Sequence, residues 1–244
     1  MPDKQETLHI TAMIPARLGS QRLARKNLAL LAGKPLIAYA IAAAKEAEVF
    51  DRIVVNSEGP VVGGIAKEYG VEFYQRPEQL AAASTTSDEV VYDFMQRHAT
   101  DVVVWVNPIA PLQPAREIRE VVEHFLGAGL DSLITVQEEQ VHCNFRGAPL
   151  NYRVEERFAR TQDLEPVHRF VYSLMMWRRA TFLAAYERDG HAILCGRSGF
   201  YPVGRLSSFL VKTEEDLRLC EYLMTGLQQK RAAPLSYYAA SGAR

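Results

Sequence analysis

The stretch DVVVWVN, residues 101–107, constrains the fold of this chain more than any other. Four valines and a tryptophan follow one another with no polar residue between them. A strand with one wet face would alternate, so an unbroken apolar run suits a strand covered on both faces, as in a parallel sheet. Parallel strands need crossover segments, and the flanking sequence offers them. Strands are predicted at 8–14 (LHITAMI), 52–57 (RIVVNS), 71–76 (VEFYQR), 101–107 and 131–136 (DSLITV). Helices are predicted between them at 34–49, 63–70, 87–98 and 114–129. This alternation predicts an α/β fold with a parallel sheet.

Past residue 137 the pattern loosens. Residues 138–170 mix charges, aromatics, Asn, Gly and Pro, and read as an inserted flap. Strands return at 170–177 and 208–211, and a last helix spans 213–229. Thr213 is its expected N-cap. Glu214, Glu215 and Asp216 lie where the helix dipole favours acids, and Leu217, Cys220, Met224 and Leu227 form one apolar stripe. The expected organisation is therefore a tail at 1–7, one α/β domain at 8–230 carrying the flap, and a tail at 231–244. Trp105 and Trp177 fall in strands and read as core.

The charge is not spread evenly. The chain has 28 basic and 29 acidic residues, a near balance that argues against wholesale binding to nucleic acid or an anionic membrane. Yet IPARLGSQRLARKN, residues 14–27, holds Arg17, Arg22, Arg25 and Lys26 and no acid. A loop leaving the first strand of such a sheet lies at its carboxyl edge, where ligands bind. Arginine grips phosphate oxygens in a fork and lysine acts as a point charge. Gly19 would let the backbone approach a ligand, and Ser20 adds a hydroxyl. The loop is neither a Walker A motif nor a GxGxxG fingerprint. On spacing alone, a polyphosphate clamp and an ordinary solvated basic loop both remain open.

Three widely spaced cysteines, Cys143, Cys195 and Cys220, form no CxxC pair and argue against a disulfide framework. No apolar run reaches membrane-spanning length, and the polar start lacks the pattern of a signal peptide, so a cytoplasmic protein is expected. His142-Cys143 lacks an acid placed for a triad and reads as structural. Glu155 and Glu156 read as solvated, and His98 and His124 as surface residues. The histidines show no HExxH or HxH spacing, which argues against a zinc site.

IPARLGSQRLARKNL resembles the signature of the sugar cytidylyltransferases, and within them the acylneuraminate branch, the CMP-sialic acid synthetases and their relatives for other nonulosonic acids. The related CMP-KDO synthetases share the Ile-Pro-Ala-Arg opening but usually continue with Lys-Pro where this chain has Lys26-Asn27. GKPLIAYAI (33–41), QRPEQLA (75–81), VNPIAPLQP (106–114), DSLITV (131–136) and RTQDLEPV (160–167) resemble further family segments in order. The resemblance implies a Rossmann-like domain with helices on both faces of the sheet, a small dimerisation flap, and a homodimer. It also implies transfer of CMP from CTP to an acidic sugar, with Mg²⁺ as cofactor. Arg17 and Lys26 would hold the triphosphate and the leaving pyrophosphate. Ala16, Gly19, Ser20, Arg22, Asn27, Arg76 and Asn107 would contact the nucleotide. Gln162 and His168 would lie on the sugar side.

Three departures stand out. A family lysine of the basic loop is Gln21. The family's Asn-Gly-Ala after the flap is Val171-Tyr172-Ser173. The Asp-x-Asp that holds Mg²⁺ before the last helix falls on Leu210 and Lys212, and between Gly199 and Thr213 there is no acid. Leucine cannot ligate magnesium, and lysine repels it. Either Mg²⁺ is held by the nucleotide's phosphates and water while Lys212 neutralises charge, or the chain is a nucleotide- or sugar-binding relative that no longer catalyses. A CMP-KDO-type synthetase is a third reading.

Overall fold

The computed structural model describes residues 8–229 and Tyr237. The expected tails, Tyr237 aside, lie outside the described residues. The elements run β1 (Ile10–Pro15), β2 (Leu30–Leu31), β3 (Lys34–Pro35), α1 (Leu36–Ala47), β4 (Arg52–Ser57), α2 (Pro60–Glu68), β5 (Glu72–Gln75), α3 (Ser87–Arg97) and β6 (Val102–Val106). They continue with α4 (Ala115–Gly127), β7 (Ser132–Glu139), β8 (Asn144–Phe145), β9 (Ala148–Pro149), β10 (Val167–Arg178), α5 (Arg179–Asp189), β11 (Ser198–Pro202) and α6 (Glu214–Gln229).

Seven strands form one sheet in the order β11-β7-β10-β6-β1-β4-β5. β5, β4, β1 and β6 pair in parallel, as does β11 with β7. β10 runs antiparallel to both its neighbours, β6 and β7. The chain builds outward from β1 through β4 to β5, then returns to place β6 on the other side of β1. The strand order therefore reverses between β1 and β6, which opens a crevice at their carboxyl ends.

Strand periodicity divides the core in two. Ala12, Ile14, Val55, Val102, Val104 and Val106 face one side, where Ile37 and Ile41 of α1, Val62 of α2 and Ile118 and Phe125 of α4 cover them. Met13, Val54, Val103 and Trp177 face the other, against Val91 and Phe94 of α3 and Phe182 of α5. Both faces being dry explains why these strands carry little polar alternation. A third, smaller cluster ties Leu31 and Leu36 to Val211 and Cys220.

Several elements depart from the sequence reading. Residues 208–211 form no strand: Ser208 and Phe209 donate back to Gly204 and Leu206, and Val211 N–H makes a single bond to Ile109 O. α5 and β11 lie in a stretch where no element was predicted; α5 follows β10 without a break, and β11 comes after residues 190–197. His98 is not a surface residue. It is half-buried, stacked on Phe94 at 4.2 Å and edge-on to Tyr74 at 5.1 Å, and burial lowers its pKa. Between Glu139 and Val167 the chain leaves the sheet, carrying the β8–β9 hairpin and a turn at Thr161–Asp163. Asn151 Nδ2 pins this excursion by donating to the carbonyls of Val141 and Glu165. His142 stacks on Phe158 at 3.8 Å within it, an aromatic contact and no catalytic dyad. Cys143, Cys195 and Cys220 are free thiols.

Candidate functional site

The crevice at the sheet's reversal point is a cleft of about 610 Å³. Pro15 at the end of β1 and Trp105 and Asn107 at the end of β6 form its floor. Arg17, Ser20, Gln21, Arg22, Lys26 and Asn27 wall it on one side. Leu80, Ala82, Ala83, Thr85, Thr86, Ser87 and Val90, from the turn after β5 and the start of α3, wall the other.

The basic loop is held open over this cleft by side chain–backbone bonds. Leu18 N–H donates to Glu58 Oε1 at 2.7 Å, and Asn27 Nδ2 donates to Arg17 O at 3.2 Å. Arg17 reaches across to donate to Ala82 O at 3.2 Å, bridging the two walls. Leu18 lies so close to the start of α2 that a Cβ on Gly59 would fall 2.4 Å from Leu18 Cδ1, so any larger residue there would displace the Leu18 side chain. At Gly19 itself a Cβ would meet only Ala81 O at 3.9 Å, so packing within the protein makes no such demand.

Arg76 is buried at 4 % exposure, and its guanidinium pairs with Glu58 at 3.0 Å. Glu58 thus joins Arg76 and the basic loop through its two oxygens. Burial still lowers the Arg76 pKa, because desolvation outweighs the pairing. Among the described residues Lys26 has no such partner. Burial first, then Arg22, Arg17 and Lys212, push its pKa down to about 8, with Asp216 pulling modestly the other way. A cation destabilised by its neighbours is a site prepared for an anion. Three buried polar atoms of the lining residues lack any partner: Asn27 Oδ1, Arg76 Nε and Trp105 Nε1.

Of the residues singled out in sequence, Arg17, Ser20, Arg22, Lys26, Asn27, Arg76 and Asn107 line this one cleft. Ala16 is fully buried in the core beneath it, its N–H bonded to Asn56 O. Gly19 is exposed outside the lining, and so is Arg25, in a left-handed conformation at φ 47°. Gln162 and His168 do not reach the cleft of their own chain. His168 lies 3.5 Å from Glu138 and edge-on to Phe200, and the Gln162 carbonyl accepts from Gln140. Trp105, read as core, is instead half-buried in the cleft floor.

Sequence reasoning missed the wall formed by Thr85, Thr86 and Ser87. Thr86 caps α3, accepting from Glu89 N–H while Glu89 Oε2 accepts from Thr86 N–H. The signal was legible as a Thr-x-x-Glu capping box, and a helix start is itself favourable to anions. Glu58 was missed because nothing in its sequence neighbourhood reveals that it pairs with Arg76.

The Mg²⁺ that the resemblance implies does not fit these residues. None of the described lining residues is a carboxylate, and no group of three or more His, Cys, Asp and Glu side chains able to hold a metal occurs among the described residues. Leu210 packs against the main core, and Lys212 is exposed. Asp216 Oδ2 accepts from Lys212 N–H, Thr213 N–H and Thr213 Oγ1, and so caps α6.

Comparison with known proteins agrees with this geometry. A sequence-family profile described as Cytidylyltransferase matches residues 11–230. The chain is 39% identical over 111 residues to an N-acylneuraminate cytidylyltransferase of Escherichia coli, covering 46% of this chain and 25% of that protein. It is 26% identical over 213 residues to the N-acylneuraminate cytidylyltransferase of Streptococcus agalactiae serotype III, covering 84% and 50%. It is 38% identical over 124 residues to the CMP-N,N'-diacetyllegionaminic acid synthase of Legionella pneumophila, covering 48% and 53%. The chain thus spans about half or less of the length of these curated relatives. A solved structure of a CMP:2-keto-3-deoxy-manno-octonic acid synthetase complexed with CTP shares the fold, with a TM-score of 0.70 at 16% identity over 90% of this chain and 99% of that one. With its basic loop on the rim of the sheet's reversal point and the profile matched nearly end to end, the chain belongs to the cytidylyltransferase family.

Proposed function

We propose that the chain transfers CMP from CTP to the anomeric hydroxyl of an acidic sugar of the nonulosonic type, releasing pyrophosphate. One observation carries the reading: Arg17, Arg22, Lys26 and Arg76 converge on a single cleft at the sheet's reversal point. Such a concentration of cations suits a triphosphate. The relatives named for acylneuraminate and legionaminic acid support the sugar class.

In the reaction, the anomeric oxygen forms a bond to the α-phosphorus in line with the bond that breaks to the departing pyrophosphate, and the hydroxyl proton leaves to solvent. The protein's part is positioning and charge stabilisation. Arg17 and Lys26 hold the triphosphate and stabilise the charge that develops on pyrophosphate. Arg22 and Ser20 complete the loop around the phosphates. The unpaired Asn27 Oδ1 suits a donor on the ribose or cytosine, beside Arg76. Asn107 and the Trp105 ring form the floor under the nucleoside.

We further propose a cytoplasmic homodimer in which the excursion between β7 and β10 brings Gln162 and His168 to the partner's cleft. Exposed Phe145, Leu150, Val154 and Phe158 on that excursion support an interface there.

A pyrophosphate-release assay with CTP and a set of nonulosonic acids and KDO tests the reading. Turnover is expected with a nonulosonic acid, and Arg17→Ala should lower kcat/KM by about 100-fold. Silence across the set, with and without Mg²⁺ or Mn²⁺, counts against it, and preference for KDO moves the chain to the sister specificity. Leu210 and Lys212 favour a second reading, a homologue that binds CTP without turning it over. Calorimetric CTP binding with no turnover for any sugar identifies that case.

A further inference from the structure

A site that recruits a hard divalent cation presents it with oxygen ligands, carboxylates above all. Among the described lining residues the charged side chains are all cations. The carboxylates that act on Arg76 and Lys26 from outside the lining, Glu58, Asp93 and Asp216, are engaged in holding the protein together, Asp93 by accepting from Tyr74 Oη and Arg97 Nε. Glu58 accepts from Arg76 and from Leu18 N–H. Asp216 closes the first turn of α6.

Lys212 adds another cation beside the lining. Val211 N–H donates to Ile109 O at 2.8 Å, and Ile109 lines the cleft. Val211, Ile109 and Leu23 of the basic loop share one apolar cluster, so the backbone that carries Lys212 is anchored to both the floor and the basic wall. Asp216 fixes the Lys212 N–H at 2.9 Å, next to the bond that ties Val211 to Ile109 of the lining. Lys212 is among the cations that lower the Lys26 pKa, after burial, Arg22 and Arg17.

Resting on the function proposed above, we infer that this cleft binds the nucleoside triphosphate as the free polyanion, with Lys212 supplying at the rim the positive charge that a protein-held divalent cation would otherwise bring. Free CTP is more negative than its magnesium complex. A clamp made of cations alone therefore prefers the uncomplexed nucleotide, whereas a clamp containing acidic metal ligands repels it.

Isothermal calorimetry with CTP, once in EDTA and once with Mg²⁺, tests this on the wild type, Lys212→Ala and Lys212→Arg. The wild type is expected to bind in EDTA and to bind more weakly as Mg²⁺ is added. Lys212→Ala should weaken binding in EDTA by roughly fivefold, the effect of one screened charge several ångströms away, and Lys212→Arg should restore it. Far-ultraviolet circular dichroism of each variant checks that the fold is unchanged, as expected for an exposed side chain. Wild-type binding that appears or tightens only with Mg²⁺ overturns the inference while leaving the proposed function standing. Equal affinity of Lys212→Ala and wild type in EDTA also overturns it. No binding of CTP in either condition overturns the functional reading and this inference together.

Discussion

Lys26 carries a consequence that can be read in solution. Its pKa is held near 8 by burial and by Arg22, Arg17 and Lys212. A bound polyphosphate reverses that balance and raises it, so the protein must take up a proton when it binds in the window above about 8. Calorimetry at about pH 8.5 in two buffers of different ionisation heat should show this uptake, and Lys26→Arg should abolish it, because arginine stays charged throughout. A binding heat independent of buffer would remove Lys26 from the phosphate site. The same shift bears on stability with a definite sign. Between about 8 and the ordinary lysine value of 10.5 the folded chain binds fewer protons than the unfolded one. The penalty from Lys26 is thus present below pH 8 and is relieved as pH rises through that window. Glu58 is the second residue with a measurable role. Glu58→Gln leaves the Arg76 charge buried without its counter-ion and should cost about 3 kcal/mol in urea denaturation. A loss below about 1 kcal/mol would mean that the pair is solvated. None of this pairing could be read from sequence. Arg76 was legible through the QRPEQLA resemblance, but its partner sits 18 positions away, at the far end of another strand.

Among the elements, β10 is the one whose shape the sequence concealed. It pairs with β7 in two stretches of different register, broken between Phe170 and Met175. In that break Tyr172 adopts φ 59°, a left-handed conformation costly for a residue with a Cβ. Its carbonyl accepts from Asn107 Nδ2 at 2.9 Å, and the next carbonyl, of Ser173, accepts from Asn107 N–H, so the break wraps the end of β6 at the cleft floor. The resemblance places glycine at this position, and the backbone angle supplies the reason. Tyr172→Gly should be more stable than Tyr172→Ala by about 1 kcal/mol in thermal denaturation, since only the alanine retains the backbone strain. Equal stability would show that the backbone relaxes. The start of α6, by contrast, followed its sequence signals, with Thr213 and Asp216 forming a reciprocal cap, whereas of the expected apolar stripe only Cys220 is buried and Leu227 is exposed. α5 escaped prediction because it begins directly after a buried strand and its apolar residues trace only a weak stripe, with Phe182 and Ala185 alone buried. The segment at 208–211 has the composition of a strand, but Ser208 and Phe209 N–H turn back to Gly204 and Leu206 and only Val211 N–H reaches out, to Ile109 O, so it joins no sheet.

At the scale of the molecule, the cleft joins the basic loop, the start of α3 and the end of β6, three segments far apart in the chain. A ligand that binds all three stabilises the folded state by mass action. CTP at about 100 times its dissociation constant should add about 2.7 kcal/mol of stability, visible as a rise in Tm that Arg17→Ala removes. An unchanged Tm at high CTP would place the nucleotide elsewhere. The parallel strands, most of the helices and the basic loop were legible in local signals: apolar runs without alternation, helical periodicity, caps, and four cations concentrated in a neutral chain. Those features are local because backbone propensity and burial act over a few residues. The tertiary structure decided which cations share a cleft, that Glu58 locks Arg76 to the loop, and that the carboxylates near the mouth are spent on structure. Such pairings depend on the strand order, which brings β6 back beside β1, and no short-range pattern in the chain encodes that return.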